Sequence, residues 1–119
     1  MRIHTNLPIE MKPKLVRDKI PQIIEQHEIG VKPLTRILDD KEYGERLIEK
    51  IHEEAEELSL AIKEKTNSVE ELADVLEVVN AIADYIGSSI GEVEIERLKK
   101  LVERGGFKGR IMLEGKQIK

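Results

Sequence analysis

The chain has 119 residues, which suffices for one domain with a single core and is too short for two. Its 20 basic and 24 acidic residues give a formal charge of −4, which argues against nucleic acid as a partner because duplex binding usually relies on a basic excess. The absence of cysteine excludes disulfides and thiolate metal sites. No signal-peptide pattern or apolar run of about 18 residues is present, so we expect a soluble, cytoplasmic protein without membrane contact.

The first predicted helix begins with Asp18 as its N-cap and ends near Glu28. Pro21 is compatible with its first turn, and Gly30 is a typical C-terminal stop. We expect residues 31 to 38 to form an extended or irregular connector, because a proline at position 33 biases the preceding residue away from helix.

The second predicted helix is long, from about Asp40 to Lys65. Asp39 and Glu42 have the spacing of a capping box at its start. The polar triplet at positions 66 to 68 breaks the apolar periodicity and predicts a short turn into the next helix.

The third helix repeats the capping signature with Ser68 and Glu71, and is predicted to end near Ile86. A fourth begins at Ser88 or Ser89 and ends at the glycine pair 105 and 106. Alternating residues in the tail, 107 to 119, predict a short strand or an ordered extension. The expected fold is therefore an all-α four-helix bundle of residues 1 to 119 with a short extended C-terminal tail.

The second helix carries an acidic run beside its apolar stripe. A helical wheel centred on Ile51 predicts that the core face consists of Leu47, Ile51, Ala55, Leu58 and Ile62. Glu54, Glu57 and Glu53 then fall progressively further round on one side, whereas Glu56 falls near the opposite flank. Such a run, taken alone, is more often a solvated face with ion pairs to lysines than a functional site.

The third helix is apolar on two faces. One predicted stripe consists of Val69, Leu72, Leu76, Val79 and Ala83, and the other of Val75, Val78, Ile82 and Tyr85. Glu71 and Asp74 fall among the apolar residues of the second stripe, where an ionised carboxylate is costly unless it is paired or bound to a cation. One small chain cannot easily cover both stripes, so we expect a homodimer or a higher homo-oligomer.

The two helices together predict a cation site. If they pack as antiparallel neighbours across the short turn, Glu57 and Glu71 lie at similar height, with Glu54 and Asp74 one turn further away. Four carboxylates in one place suit a hard cation such as Mg²⁺, for which Mn²⁺ is a possible substitute.

These acids resemble the signature of the all-α nucleoside triphosphate pyrophosphatase superfamily, which includes MazG-like proteins. The matching residues are Glu53-Glu54-Ala55-Glu56-Glu57 and Glu71-Leu72-Ala73-Asp74. Three further segments resemble the phosphoribosyl-ATP pyrophosphohydrolase-like subgroup: Lys14 to Pro21, Arg36 to Asp40 and Arg104 to Phe107. The resemblance covers most of the chain outside the first 12 residues and the last few.

The resemblance implies a Mg²⁺-dependent enzyme that hydrolyses the α–β bond of a nucleoside triphosphate. The products would be the monophosphate and pyrophosphate, and the role would be house-cleaning of noncanonical nucleotides. Carried over by position, Glu54, Glu57, Glu71 and Asp74 would be the metal ligands. Glu53 would be a further ligand or the base that activates water.

The triphosphate also requires positive charge, and several residues are candidates for contacting the substrate. They are Lys14, Arg17, Lys19, Lys50, Asn80, Arg104 and Arg110. For Lys50 an ion pair within the helix is at least as plausible, and for Asn80 a hydrogen bond to backbone is the commoner case.

Two alternatives remain open, one of them another enzyme and the other a non-catalytic module. Phosphoribosyl-ATP pyrophosphatase of histidine biosynthesis shares the first acidic helix, but the residues that follow Asp74 here, Val75 to Asn80, depart from its pattern. A non-catalytic helical module would use the two-faced third helix only for oligomerisation. The sequence does not indicate which base would be recognised.

Overall fold

The computed structural model describes residues 11 to 119; residues 1 to 10, which the sequence analysis includes in the domain, lie outside the described part. The helices are α1 (Ile20–His27), α2 (Asp40–Glu64), α3 (Ser68–Tyr85) and α4 (Ile90–Arg104). No strand occurs in the described residues, so the predicted all-α class with four helices is confirmed. None of the described helices is long and apolar enough to cross a membrane.

Two helices begin at their predicted caps. The Asp39 side chain accepts a hydrogen bond from the backbone N–H of Glu42 at 2.8 Å. Ser89 Oγ accepts one from the backbone N–H of Glu92 at 3.1 Å. In both cases a side-chain oxygen satisfies a donor that the first helical turn leaves free, which is why these boundaries were predictable.

The other two predicted caps are wrong. Lys19, not Asp18, is the N-cap of α1, and no side chain caps that helix. Asn67 is the N-cap of α3, with a left-handed backbone (φ 49°) and no side-chain cap. Ser68 therefore lies inside the first turn of α3, one position too late for its hydroxyl to cap the helix. Together with Lys65 (φ 56°), Asn67 turns the chain between α2 and α3 within three residues.

Of the two forms predicted for the tail, a short strand or an ordered extension, the strand is wrong. Residues 105 to 119 are exposed, and the structure describes a turn closed by the Arg110 N–H and the Phe107 carbonyl at 3.1 Å, with no strand. A lone tail strand needs a neighbouring strand for its backbone hydrogen bonds, and these 15 residues have no such neighbour in the described chain.

The core of the described chain is the antiparallel hairpin of α2 and α3. Its buried apolar residues are Leu47, Ala61, Val78 and Ala83. The face of α2 that is turned toward α3 agrees with the predicted one in part: Leu47, Ile51 and Leu58 are buried or half-buried, whereas Ala55 and Ile62 are exposed. The residues of the observed face recur at steps of three and four: Gly44, Leu47, Ile51, Glu54, Leu58 and Ala61. Glu54 thus lies on the core face of its helix.

On α3 the two predicted apolar stripes have different environments. Val75, Val78 and Ile82 of the second stripe are buried or half-buried along the seam with α2. In the first stripe Val69 and Leu72 are 82% and 56% exposed, and Leu76 is 59% exposed. One apolar face of α3 therefore forms the core, and most of the other remains on the surface of the described chain.

Gly44 lets the two helices approach closely at the end of the hairpin distant from the turn. A methyl group at this glycine would lie 2.6 Å from Cζ and 3.0 Å from Cε2 of Tyr85, so only a residue without Cβ fits against the ring. The ring of Tyr85 also meets Tyr43 edge-on, with centroids 5.6 Å apart and planes at 79°. These contacts fix the register of α3 along α2.

The remaining helices pack loosely. Among the described helices α4 contacts α3, and α1 has no close backbone contact with another helix. The chain extends over 80 × 36 × 25 Å with a radius of gyration of 20.4 Å. A compact domain of about this length has a radius of gyration of roughly 13 to 14 Å, so the described chain is extended, and most of the large apolar side chains of residues 11 to 119 are exposed.

Candidate metal centre

Three of the predicted acids meet at the α2–α3 seam. Glu54 of α2 and Glu71 and Asp74 of α3 each offer a carboxylate oxygen, and these oxygens lie within 4.8 Å of one another. Glu71 and Asp74 are one helical turn apart, so they share a face of α3, and antiparallel packing places that face opposite Glu54. We call these three residues the acidic cluster.

The acidic cluster contains carboxylate oxygens that lack partners. Glu54 is 8% exposed, and its Oε2 is buried without a hydrogen-bond partner. Oε2 of Glu71 is likewise buried and unpartnered. Buried carboxylate oxygens are costly unless they accept hydrogen bonds or bind a cation. The other oxygen of Glu54, Oε1, lies 3.5 Å from Nζ of Lys50, which offsets part of the charge.

The pKa of Glu54 is raised above its ordinary value. Burial of the carboxyl is the main cause, followed by the negative charge of Glu57. Lys50 opposes the shift, whereas a hydrogen bond with Glu57 and the charge of Asp74 add to it. The site is thus short of positive charge, and a bound cation would reverse this by favouring the ionised carboxylate.

The residues of the acidic cluster fit a divalent cation. Hard cations such as Mg²⁺ and Mn²⁺ are bound by carboxylate oxygens, and Mg²⁺ usually retains several waters while binding one or two carboxylates and substrate phosphates. Two buried, unpartnered oxygens from opposite helices provide ligands of this kind, and the partly exposed Asp74 leaves one side of the site accessible.

Glu57, the fourth predicted ligand, lies at the edge of the acidic cluster. It is close enough to Glu54 to raise the pKa of that residue through its charge and a hydrogen bond. Glu57 and Glu71 also line one shallow pocket of about 160 Å³ beside the α2–α3 turn. The structure therefore places Glu57 next to the three clustered acids, on the side that faces this pocket.

Glu53 and Lys50 form an ion-paired edge of the site. Lys50 Nζ lies 3.8 Å from Oε2 of Glu53 and 3.5 Å from Oε1 of Glu54, which is the intrahelical pairing considered for Lys50. The Glu53 side chain is 46% exposed and lies outside the acidic cluster.

Arg17 reaches the acidic cluster from the segment before α1. Its Nη2 donates a hydrogen bond to Oδ1 of Asp74 at 2.8 Å, across 57 residues of sequence. Arg17 was predicted to contact phosphate and Asp74 to bind metal, and their contact with each other was not predicted. No local pattern could have shown it, because residues this far apart are brought together only by the tertiary fold.

The other predicted substrate residues lie apart from the acidic cluster. Lys14, Lys19 and Asn80 are exposed, and so are Arg104, the last residue of α4, and Arg110, in the tail. Among the described residues none of these side chains forms an ion pair or hydrogen bond with Glu54, Glu71 or Asp74. Their assignment to substrate stays a prediction.

Comparisons with known proteins provide no family assignment for the chain. No protein-family model, no curated protein and no solved structure matches the chain.

Proposed function

We propose that the protein is a Mg²⁺-dependent nucleoside triphosphate pyrophosphohydrolase of the MazG-like type. Buried, unpartnered carboxylate oxygens at the centre of a three-acid cluster are the observation that carries this proposal. A purely structural seam between two helices would be more stable with apolar residues at these positions. The resemblance of the two acidic motifs and their flanking segments supplies the reaction class.

The bound metal would neutralise phosphate oxygens and lower the pKa of a coordinated water. Glu54, Glu71 and Asp74 would hold it, and Glu57 would complete the set from the pocket side. Glu53, exposed beside Glu54, would accept a proton from the attacking water. The water oxygen would form a bond to the phosphorus on one side of the α–β bridge while the bond from that phosphorus to the bridging oxygen breaks. The bridging oxygen would stay on the other phosphate. The nucleoside monophosphate and pyrophosphate result.

The finer parts of the proposal rest on the resemblance alone. These are the noncanonical identity of the nucleotide and the house-cleaning role; the cytoplasmic setting is proposed from the sequence, which has no signal-peptide pattern. Mn²⁺ would replace Mg²⁺, since both prefer oxygen ligands.

A second copy of the chain is the proposed occupant of the exposed apolar face. On α2 the exposed residues Ile48 and Ile62 are 14 positions apart and so share a side of the helix, while Val69, Leu72 and Leu76 are exposed on α3. In an antiparallel pair these positions fall on the same side of the hairpin, which we call the outer face; Lys50, Glu53 and Glu57 lie on the opposite side. The elongated dimensions support a homodimer or higher homo-oligomer, because the single chain leaves this face uncovered.

The two alternatives are less well supported. A non-catalytic oligomerisation module accounts for the outer face but not for the buried carboxylates of Glu54 and Glu71. Phosphoribosyl-ATP pyrophosphatase would use the same acids, and only its substrate distinguishes it from the proposed enzyme.

A panel of canonical and noncanonical nucleoside triphosphates, with phosphoribosyl-ATP included, tests the proposal. Each compound is incubated with the protein with and without Mg²⁺, and pyrophosphate and orthophosphate are measured separately. We expect Mg²⁺-dependent release of pyrophosphate from at least one triphosphate. No turnover, or release of orthophosphate without pyrophosphate, would contradict the enzyme.

A further inference from the structure

Arg17 occupies a position that neither a simple phosphate-binding role nor a simple structural role explains. Its guanidinium group is bonded to Asp74, a member of the acidic cluster, although both side chains are substantially exposed, at 58% and 41%. An exposed ion pair of this kind contributes little to stability, because solvent screens the charges and both side chains lose conformational freedom. We therefore expect the pair of Arg17 and Asp74 to matter for the acidic cluster and not for stability.

The segment that carries Arg17 contributes no residue to the buried core of the described chain. None of the residues from 11 to 30 is fully buried, and α1 has no close backbone contact with another described helix. Movement of Arg17 away from Asp74 would therefore disturb little of the hairpin, because the core residues belong to α2 and α3.

The charges around the acidic cluster determine when Asp74 requires Arg17 as its positive partner. Glu54, Glu57, Glu71 and Asp74 are negative when ionised, and Lys50 and Arg17 are the positive groups that contact them among the described residues. A divalent cation bound by Asp74 supplies the charge that Arg17 otherwise provides, and it repels the guanidinium group. A triphosphate then brings several negative charges, which a guanidinium group binds well through two parallel hydrogen bonds.

We propose that Arg17 exchanges partners, pairing with Asp74 before substrate binds and with the triphosphate once Asp74 holds a metal ion. This inference rests on the proposed function and adds a regulatory role to one of its residues. Arg17 lowers the affinity of the acidic cluster for a metal ion alone and raises the affinity of the metal-loaded site for triphosphate. Metal and triphosphate binding are thereby coupled through one side chain.

The test measures binding rather than turnover. Mn²⁺ is titrated by electron paramagnetic resonance into the wild-type protein and into Arg17→Gln without any phosphate. Inorganic tripolyphosphate, which needs no knowledge of the base, is then titrated by calorimetry into each protein saturated with Mg²⁺. Arg17→Lys keeps the charge but loses the planar fork. Arg97→Gln is the matched control, because Arg97 is 59% exposed and pairs with Glu94 on α4, away from the acidic cluster.

Arg17→Gln is expected to bind Mn²⁺ about three- to tenfold more tightly than the wild type, since one repelling charge is removed. It should bind tripolyphosphate about tenfold more weakly, because a charge-assisted pair of hydrogen bonds is lost. We expect Arg17→Lys to match the wild type in Mn²⁺ affinity to within about twofold and to recover only part of the tripolyphosphate affinity. Arg97→Gln should leave both affinities unchanged.

Two different failures can be told apart. If the wild type binds Mn²⁺ and Glu71→Gln abolishes that binding, but Arg17→Gln binds Mn²⁺ equally or more weakly, the exchange is wrong and the metal site stands. If the wild type does not bind Mn²⁺, or Glu71→Gln binds it equally well, the proposed metal site fails and the exchange fails with it.

Discussion

Glu71 and Glu56 are both glutamates within the two acidic motifs, yet their surroundings differ completely. Glu71 has a buried, unpartnered oxygen in the acidic cluster, whereas Glu56 is exposed on α2. Glu71→Gln keeps the size of the side chain and removes its charge. We expect it to lower pyrophosphate release at least about 100-fold, because a metal ligand is lost.

Glu56→Gln is the matched control and should retain wild-type activity. Both variants should unfold at denaturant concentrations no lower than the wild type, since neither loses an apolar contact. Equal activity of Glu71→Gln and the wild type would show that the acidic cluster is not the catalytic site.

The raised pKa of Glu54 makes a second prediction at this scale. A group whose pKa is higher in the folded than in the unfolded protein stabilises the fold below its ordinary pKa, and that stabilisation is lost as pH rises through the folded pKa. Without divalent cations, ionised Glu54 should therefore destabilise the protein at neutral pH. Burial and the charges of Glu57 and Asp74 outweigh Lys50 in causing the shift.

Glu54→Gln should consequently be more stable than the wild type at pH 7 in the presence of a chelator, and the difference should disappear below about pH 4, where both side chains are neutral. Urea unfolding at several pH values measures this. Adding Mg²⁺ should stabilise the wild type and not the variant. A variant that is less stable at pH 7 would mean that Glu54 is fully compensated by its neighbours.

Arg17 and Glu54 also show which properties of single residues the sequence predicts and which it does not. The spacing of the acids predicted that Glu54, Glu57, Glu71 and Asp74 meet. Carboxylate oxygens of Glu54, Glu71 and Asp74 do lie within 4.8 Å of one another, whereas Glu57 lies at the edge of the acidic cluster. The contact between Arg17 and Asp74 did not follow, because charge and spacing along the chain carry no information about a partner 57 residues away.

At the scale of the elements, the packing of α2 on α3 depends on Gly44. An alanine within a helix is normally more favourable than glycine by about 0.5 to 1 kcal/mol. Here its methyl group would overlap the ring of Tyr85, which is held between Gly44 and Tyr43. We expect Gly44→Ala to destabilise the protein by about 1 to 3 kcal/mol in urea unfolding, as overpacking usually does.

Gly91→Ala is the control for Gly44→Ala. The nearest side-chain atom to a methyl group at Gly91 in α4 would be Ser89 Oγ at 3.7 Å, an ordinary contact. This variant should be as stable as the wild type or slightly more stable. If Gly44→Ala behaved like Gly91→Ala, Tyr85 would not pack against α2 as described.

Sequence periodicity placed the helices well but placed the core face of α2 less well. The apolar residues Ala55 and Ile62 suggested one face, but the observed seam passes through Gly44 and Glu54, which a hydrophobicity pattern does not count. A glycine and a glutamate interrupt the apolar stripe on the side of α2 that packs against α3. The exposed apolar residues of α2 belong instead to the outer face. The hydrophobicity pattern of the single chain therefore combined residues of two surfaces, the seam with α3 and the outer face.

At the scale of the whole molecule, the outer face makes the prediction of an oligomer specific. Leu72 lies within this face and is 56% exposed in the single chain. Leu72→Glu would place a charge in the proposed interface, at a cost of several kcal/mol if the residue is buried there. We expect light scattering to show at least a dimer for the wild type and a smaller species for the variant.

Ile29→Glu provides the matched control. Ile29 is 101% exposed in the turn after α1 and lies outside the outer face, so this change should leave the assembly intact. A monomeric wild-type protein would contradict the proposed homo-oligomer while leaving the metal site untouched.

The acidic cluster is proposed to hold a metal ion that serves the cleavage of a nucleoside triphosphate. Phosphorus-31 nuclear magnetic resonance of the protein with Mg²⁺ and the best substrate of the triphosphate panel tests it most directly, with Glu71→Gln measured in parallel. We expect nucleoside monophosphate and pyrophosphate in equal amounts for the wild type, and unchanged triphosphate for the variant or when a chelator is present. Appearance of diphosphate and orthophosphate, or equal turnover by Glu71→Gln, would contradict it.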